Sequence, residues 1–304
     1  MSYFVVYSMI YSKGYSAFCS FRLLREEAGV MEMIQGNLIT VDTLKEDFIR
    51  LGVRQGMTVI MHSSYKALGS FVVGGPPAVF LALEGVVGNE GNVVMPTHSG
   101  DLSDPAGWEN PPVPQEWWET IREQMPAYDP DITPLWYMGI IPEIFRKQSS
   151  VIRSGHPQVS FAAWGAKAEF ISGQHSLEYS LGEQSPLARI YDLEGYVLLL
   201  GVGNDCNTSL HLSEIRAEYE TRREIGNKAP MQVDGAKRWV EFKDIEYDAS
   251  DFADIGADFE RETGLVRRGK IGGADAMLIP QKALVDYGTA WLPLHRKNKD
   301  SNGR

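Results

Sequence analysis

Tyr196-Val197-Leu198-Leu199-Leu200-Gly201-Val202-Gly203-Asn204-Asp205-Cys206-Asn207-Thr208-Ser209-Leu210-His211-Leu212-Ser213-Glu214 is the stretch from which the fold can be read. Its first five residues are a short apolar run between glycines, the pattern of a strand buried on both faces. Gly201 to Asn207 is a turn rich in Gly, Asn and Asp. Thr208 and Ser209 then stand where a helix N-cap is expected. In the helix that follows, His211 and Glu214 lie three apart on one face. Strand, turn and helix start thus put polar groups at the carboxyl end of a strand, where open α/β sheets bind their ligands. A carboxylate at that spacing can orient one imidazole nitrogen and leave the other to take a proton near neutral pH. Hydroxyls and free N–H groups at the helix start can hold developing negative charge. A His-x-x-Glu pair is also common where no chemistry occurs, with the histidine packing or capping and the glutamate solvated. Spacing alone leaves both readings open.

Outward from this stretch, strands and helices alternate, which is the α/β class. Thr40-Val41-Asp42-Thr43 precedes a helix in which Leu44, Phe48 and Leu51 share a face and which Gly52 ends. Met57 to Met61 reads as a strand running into His62-Ser63-Ser64. Gly74-Gly75-Pro76-Pro77 leads into a helix from Ala78 to Val87, with proline suited to its first turn. The loop from His62 to Gly75 is either a phosphate-binding lead into a helix N-terminus or a plain loop. Gly91 to Pro96 is the next strand, ending in Thr97-His98-Ser99. Gly100 to Pro134 holds seven prolines, together with Trp108, Trp117 and Trp118, so regular structure is not expected there. A loop of that length is functional or disordered. Its aromatics argue against disorder, which leaves a substrate-covering insertion, the reading favoured here, or a structural wrap. Helices are expected at Met138 to Arg146, Leu187 to Tyr191, 250–264 and Lys282 to Tyr287. Strands are expected at Val159 to Trp164, Lys237 to Tyr247 and within Gly269 to Met277. His156 is held extended by Pro157 and reads either as functional or as a buried histidine satisfied by backbone.

Composition narrows the function classes. The chain has 304 residues, 43% hydrophobic and 23% charged, as in ordinary soluble proteins. A net charge of −11 with no basic cluster disfavours nucleic acid and suits a cationic ligand. Cys19 and Cys206 can build neither a disulfide framework nor a cysteine zinc site. No run of 18 apolar residues suggests a membrane span, and the block from Tyr3 to Ile10 lacks a basic flank and a cleavage site. The protein is therefore expected in the cytoplasm, as a monomer or homodimer. Residues 1–32 are expected to be a flexible appendage, with Met31 or Met33 the more natural start. Residues 33–295 are expected to be one domain, and 296–304 a polar, frayed tail. The loop from His62 to Gly75 has neither the Gly-x-x-x-x-Gly-Lys nor the Gly-x-Gly-x-x-Gly spacing, and no Gly-x-Ser-x-Gly elbow occurs in the chain.

Ordered blocks along the chain resemble the aminoglycoside N3-acetyltransferase family. They are Met61-His62-Ser63-Ser64 with Leu68-Gly69, Val73-Gly74-Gly75-Pro76, Val94-Met95-Pro96-Thr97 and Asp104-Pro105. Pro112-Val113-Pro114 with Trp117-Trp118, Met125-Pro126 with Asp129-Pro130, Arg153-Ser154 with His156-Pro157, and Ser185-Pro186-Leu187-Ala188 continue the series. Leu199 to Gly203, Asn207 to His211 and Glu214 complete it. The match covers about residues 33–295, and nearly every block falls in order. Gly155 stands where the family often has alanine or a bulkier residue.

The resemblance implies a mixed β-sheet flanked by helices, with a long irregular insertion over the substrate. It implies acetyl transfer from acetyl-CoA to the 3-amino group of a 2-deoxystreptamine aminoglycoside, hence antibiotic resistance, with no metal. His211 oriented by Glu214 would be the general base, with Thr208 near the oxyanion and His156 a further catalytic candidate. His62, Ser63, Ser64, Gly69 and Gly74, with Arg153, Ser154 and Ser160, would hold acetyl-CoA. Asp101, Glu109, Glu116, Asp205, Glu218 and Glu220 would meet a cationic sugar. Within the family, another small amine is the competing acceptor. Outside it stand a metal hydrolase built on His211, Glu214 and His156, though a His-Glu-x-x-His helix is absent, and a silent binding protein.

Overall fold

The computed structural model describes residues 38–297. The expectations for 1–32 and for 298–304 lie outside the described residues. In chain order the elements are α1 (Val41–Leu51), β1 (Thr58–Ser63), α2 (Pro77–Val87), β2 (Asn92–Pro96), α3 (Trp118–Gln124) and α4 (Ile140–Phe145). Then come β3 (Ile152–Arg153), β4 (Phe161–Gly165), α5 (Ala168–Ser172), α6 (Pro186–Asp192), β5 (Tyr196–Leu200) and α7 (Leu210–Arg216). The series ends with β6 (Glu224–Val233), β7 (Ala236–Ile245), α8 (Phe252–Thr263), β8 (Arg267–Ile271), β9 (Ala274–Pro280) and α9 (Gln281–His295).

Among the described residues the main sheet runs β3-β4-β2-β1-β5-β9-β8. β1 is parallel to both β2 and β5, while β4 and β9 pair antiparallel, so the sheet is mixed. The centres of the three parallel strands, Val59 to Met61, Val93 to Met95 and Val197 to Leu200, are apolar because both their faces are covered. Alternation along each strand sorts residues between two cores. Val59, Met61, Val93, Met95, Leu198 and Leu200 pack with α1, α2 and α4. Ile60, Val94, Phe161, Val197 and Leu199 pack with α5 to α9. His62 pairs in register with Leu199, and so shares the α7 side of the sheet with Ile60.

β1 leads through α2 to β2 on one side and has β5 on the other, so the crevice at its carboxyl end is a topological switch point. That is where His62 and the turn before α7 meet. Capping follows the sequence at α1: Thr40 and Thr43 form a reciprocal capping box, and Gly52 closes the helix. No helix among the described residues is long and apolar enough to cross a membrane.

Several elements differ from expectation, and the segment Gly100 to Pro134, expected to be irregular, holds the short helix α3. β6 and β7 form a separate two-stranded sheet, of which only the second strand was legible by alternation. Asp234 and Gly235, both at positive φ, make its two-residue turn. Gly269 to Met277 lies within a hairpin, β8 with β9, rather than holding one strand. The last helix runs eight residues beyond Tyr287, to His295. Arg296 is 8% exposed and ion-paired, so the tail does not begin there.

Gly201 gives the fold a sharp test. Its φ is +67°, and a Cβ there would lie 2.3 Å from that of Ala67. Gly203, at φ −98°, would meet only the side chain of Asp205. Gly201→Ala combines a left-handed penalty of about 1–2 kcal/mol with an overlap worth about 1–3 kcal/mol. Denaturant midpoints should fall accordingly, whereas Gly203→Ala should change stability by less than about 1 kcal/mol.

Candidate active site

α7 starts without a side-chain bond from its own N-cap, Ser209. Asn207, buried two residues earlier, accepts the Ser209 N–H at 3.2 Å instead. The N-cap function expected of Thr208 or Ser209 thus falls to Asn207, and Thr208 is released toward the sheet. Its Oγ1 lies 3.4 Å from Nε2 of His62.

One turn on, Nδ1 of His211 and Oε2 of Glu214 are 2.5 Å apart. Helical spacing brings them together, and the fold then encloses them. Glu214 is fully buried, while the His211 side chain keeps 15% exposure. The imidazole sits between Tyr247 and Phe252, with ring centroids 4.9 and 4.8 Å away. A carboxylate on Nδ1 fixes the proton there and leaves Nε2 as the basic nitrogen.

Glu214 is itself held. Its Oε1 accepts the backbone N–H of Asp248 at 3.0 Å and a bond from Nη1 of Arg296. Arg296 also grips both carboxylate oxygens of Asp251, at 2.7 and 2.6 Å, and donates to the Asp248 carbonyl. Burial works against the Arg296 charge, yet its bonds to Asp251 and Glu214 outweigh it and raise its pKa further. Arg296 was missed in the sequence because a lone arginine beyond a helix reads as a solvated end.

His62 and His98 complete the surroundings from the ends of β1 and β2. Burial holds both imidazoles down to about 3, with the nearby His211 charge adding to the effect. Nε2 of His98 is buried without a hydrogen-bond partner. A cavity of about 220 Å³ opens here, lined by His62, Ser63, Tyr137, Val202, Cys206 and Thr208. Ser64 follows β1, and Gly69 and Gly74 lie exposed on the segment leading to α2.

Other candidates fall elsewhere. His156 is fully buried; its Nδ1 accepts the N–H groups of Gln158 and Val159, and its Nε2 donates to the Leu177 carbonyl. Both nitrogens are used by backbone, so His156 is a scaffold residue and offers a metal no ligand. Arg153 donates to Ser160 and to the carbonyls of Pro130, Thr133 and Thr97. The Ser160 hydroxyl donates to the Thr97 carbonyl, and that of Ser154 bonds Nδ1 of His175 at 2.9 Å. Ser154 and Ser160 have no exposure. Arg153 thus staples the insertion to the sheet through Pro130 and Thr133, and the two serine hydroxyls are spent on neighbouring protein groups.

The six acids are spread over the surface of several elements. Asp101 lines a cavity of about 560 Å³, and burial raises its carboxyl pKa. Glu109 and Glu116 are exposed on the insertion, Asp205 in the turn before α7, and Glu218 and Glu220 just after that helix. Glu218 pairs with Arg222 at 3.2 Å.

The sequence matches the family model for aminoglycoside 3-N-acetyltransferase over residues 60–293. It is 46% identical over 254 residues to the SPbeta prophage-derived aminoglycoside N(3')-acetyltransferase-like protein YokD of Bacillus subtilis (strain 168), covering 83% of this chain and 92% of that one. It is 35% identical over 274 residues to aminoglycoside N(3)-acetyltransferase VII of Streptomyces paromomycinus, covering 84% and 91%. The crystal structure of YokD superposes with a TM-score of 0.80 at 44% identity, covering 84% of this chain and 100% of that one. AAC-IIIb, solved as a binary complex with CoASH, gives 0.76 at 30% identity, covering 86% and 99%. AAC-VIa bound to sisomicin gives 0.76 at 29% identity, covering 86% and 100%.

The buried histidines predict a pH dependence. Burial holds His62 and His98 at about 3, His175 at about 4, and His156 well below the ordinary value. In the unfolded chain each would protonate near 6.5. Between that pH and about 4 the unfolded state binds more protons, so stability falls as pH drops through this window. Each histidine contributes about 1.4 kcal/mol per pH unit. Denaturant midpoints should fall steeply from pH 7 to pH 5, and His98→Gln should flatten the slope by one proton. An unchanged slope in that variant would refute the assignment for His98.

Proposed function

The chain belongs to the aminoglycoside 3-N-acetyltransferase family, and from that membership we propose that it carries acetyl from acetyl-CoA to the 3-amino group of a 2-deoxystreptamine aminoglycoside, conferring resistance. The observation carrying this reading is the 2.5 Å contact between Nδ1 of His211 and Glu214, three residues beyond Thr208, which lines a cavity at the carboxyl ends of parallel strands. The CoASH complex of AAC-IIIb supports the donor class, and the sisomicin complex of AAC-VIa supports the acceptor class.

In this mechanism an ammonium acceptor first loses a proton to solvent. The amine nitrogen then attacks the thioester carbonyl carbon while Nε2 of His211 takes its remaining surplus proton. Glu214 accepts the Nδ1 proton in a hydrogen bond and balances the imidazolium that forms. The carbonyl oxygen becomes an oxyanion, stabilised by the Thr208 hydroxyl and nearby N–H groups. Collapse breaks the carbon–sulfur bond, and the departing thiolate takes the proton back from His211. The products are an amide and a free thiol, and no acyl-enzyme is needed because the thioester is already activated.

His62, Ser63, Ser64, Gly69 and Gly74 form the donor side of this proposal. They lie at the end of β1 and on the segment after it. Asp101, Glu109 and Glu116 from the insertion, with Asp205, Glu218 and Glu220 around α7, form the acceptor side. YokD is named only as acetyltransferase-like, so simple amines belong in the test beside aminoglycosides.

Release of free thiol from acetyl-CoA should depend on a 2-deoxystreptamine aminoglycoside, with the product acetylated at the 3-amino group. Release with simple amines alone would keep the chemistry and reject the acceptor. His211→Ala should lower turnover by about 10²–10⁴-fold with little change in donor KM. Preserved turnover would remove His211 from the mechanism.

A further inference from the structure

The side chain behind the dyad is Arg296, at the C-cap of α9. It is 8% exposed, and it reaches Glu214 across 82 positions of sequence. α9 is seated closely along α7: Ser213 donates to the Val285 carbonyl at 3.0 Å, and Gln281 donates to Ser209 Oγ at 3.1 Å. A Cβ on Gly288 would lie 2.7 Å from the Ser213 hydroxyl, so the two helices are in near contact. Asp251 fixes the guanidinium on its far side with two bonds. Arg296 therefore has little freedom, and its one bond to Glu214 lands on Oε1, the oxygen that His211 does not use.

We propose that Arg296 is a positioning residue that, as counter-charge to Glu214, keeps its Oε2 an acceptor, so that the proton of His211 stays on Nδ1 and Nε2 stays basic. This rests on the reading of His211 as the base. A buried carboxylate without its counter-charge is driven to take up a proton. A protonated Glu214 would donate to Nδ1, moving the imidazole hydrogen to Nε2 and abolishing the base without displacing a heavy atom. The groups facing the dyad are His62 from β1, His98 from beyond β2, and Tyr219 from beyond α7. Tyr247, Asp248 and Asp251 face it from the segment before α8, and Arg296 from α9. Arg296 is the permanent cation among them.

The test is the steady-state kinetics of Arg296→Met, Arg296→Lys, Glu214→Gln and the double variant Glu214→Gln/Arg296→Met, each checked for folding by circular dichroism. Arg296→Met should lose about 10–100-fold in kcat at pH 7, as outer-shell partners of a reactive group do, with acetyl-CoA KM unchanged. Arg296→Lys should restore most of the loss. Adding Arg296→Met to Glu214→Gln should change kcat by less than about twofold, because the two act through one interaction. A further tenfold fall in the double variant would overturn the proposal, and this comparison stands even if Arg296→Met alone does not fold. Wild-type kcat in folded Arg296→Met, with His211→Ala inactive, would overturn it while leaving the base in place. Full activity of His211→Ala would instead remove the reading on which it rests.

Discussion

A carboxylate with no exposure to water needs every lone pair accounted for, and Glu214 sets that constraint on the α7 side of the molecule. One oxygen faces His211; the other takes a backbone N–H and a guanidinium. Enclosing such a charge costs several kcal/mol, and removing one partner of a buried pair typically costs about 3–5 kcal/mol. Three segments must therefore converge on it: α7, the chain from Asp248 to Asp251, and the end of α9. Gly288 and Ser213 permit that convergence by letting α9 lie close against α7. The apolar packing of Leu210, Phe252, Leu284 and Leu292 brings the same elements together without specifying which polar atoms meet.

The parallel centre of the sheet was legible because its signal is local. Val93 to Met95 and Val197 to Leu200 are uninterrupted apolar runs, and each ends in polar residues or glycine. His211 and Glu214 were legible for the same reason, since helical spacing alone brings them within reach. Arg296 was not, because its role depends on a partner 82 residues away. The first strand of the hairpin, β6, was missed for a different reason. Asn227, Lys228 and Pro230 break the alternation that marks a half-buried strand, although Asp234-Gly235 is a strong turn signal. A turn dipeptide followed by one readable strand is evidence for another before it.

Arg153, Ser154, Ser160 and His156 show how polar residues near a presumed site can mislead. Hydroxyls and a guanidinium suit a phosphate on chemical grounds, but they suit backbone carbonyls as well. Here the carbonyls win: Pro130, Thr133 and Thr97 take the Arg153 donors, and Leu177 takes the His156 proton. For Arg153 the position of the insertion decides the matter, and around the short helix α3 the insertion is prolines and turns with no periodicity from which that position could be read.

The same insertion is tied to the hairpin largely through main-chain atoms. Nζ of Lys237 bonds the carbonyls of Arg122, Glu123 and Met125, and the indole of Trp239 bonds that of Arg122. Tyr128 returns its own N–H to the Pro230 carbonyl. Carbonyls are identical from residue to residue, so these anchors read the path of the insertion and leave most of its side chains unread. The salt bridge of Asp104 to Lys228 is a side-chain exception, and Arg122 holds Asp104 from within the insertion. Over evolutionary time, such a segment can exchange the groups it offers a ligand without losing its mooring, whereas a change in its length would have to be matched in the hairpin.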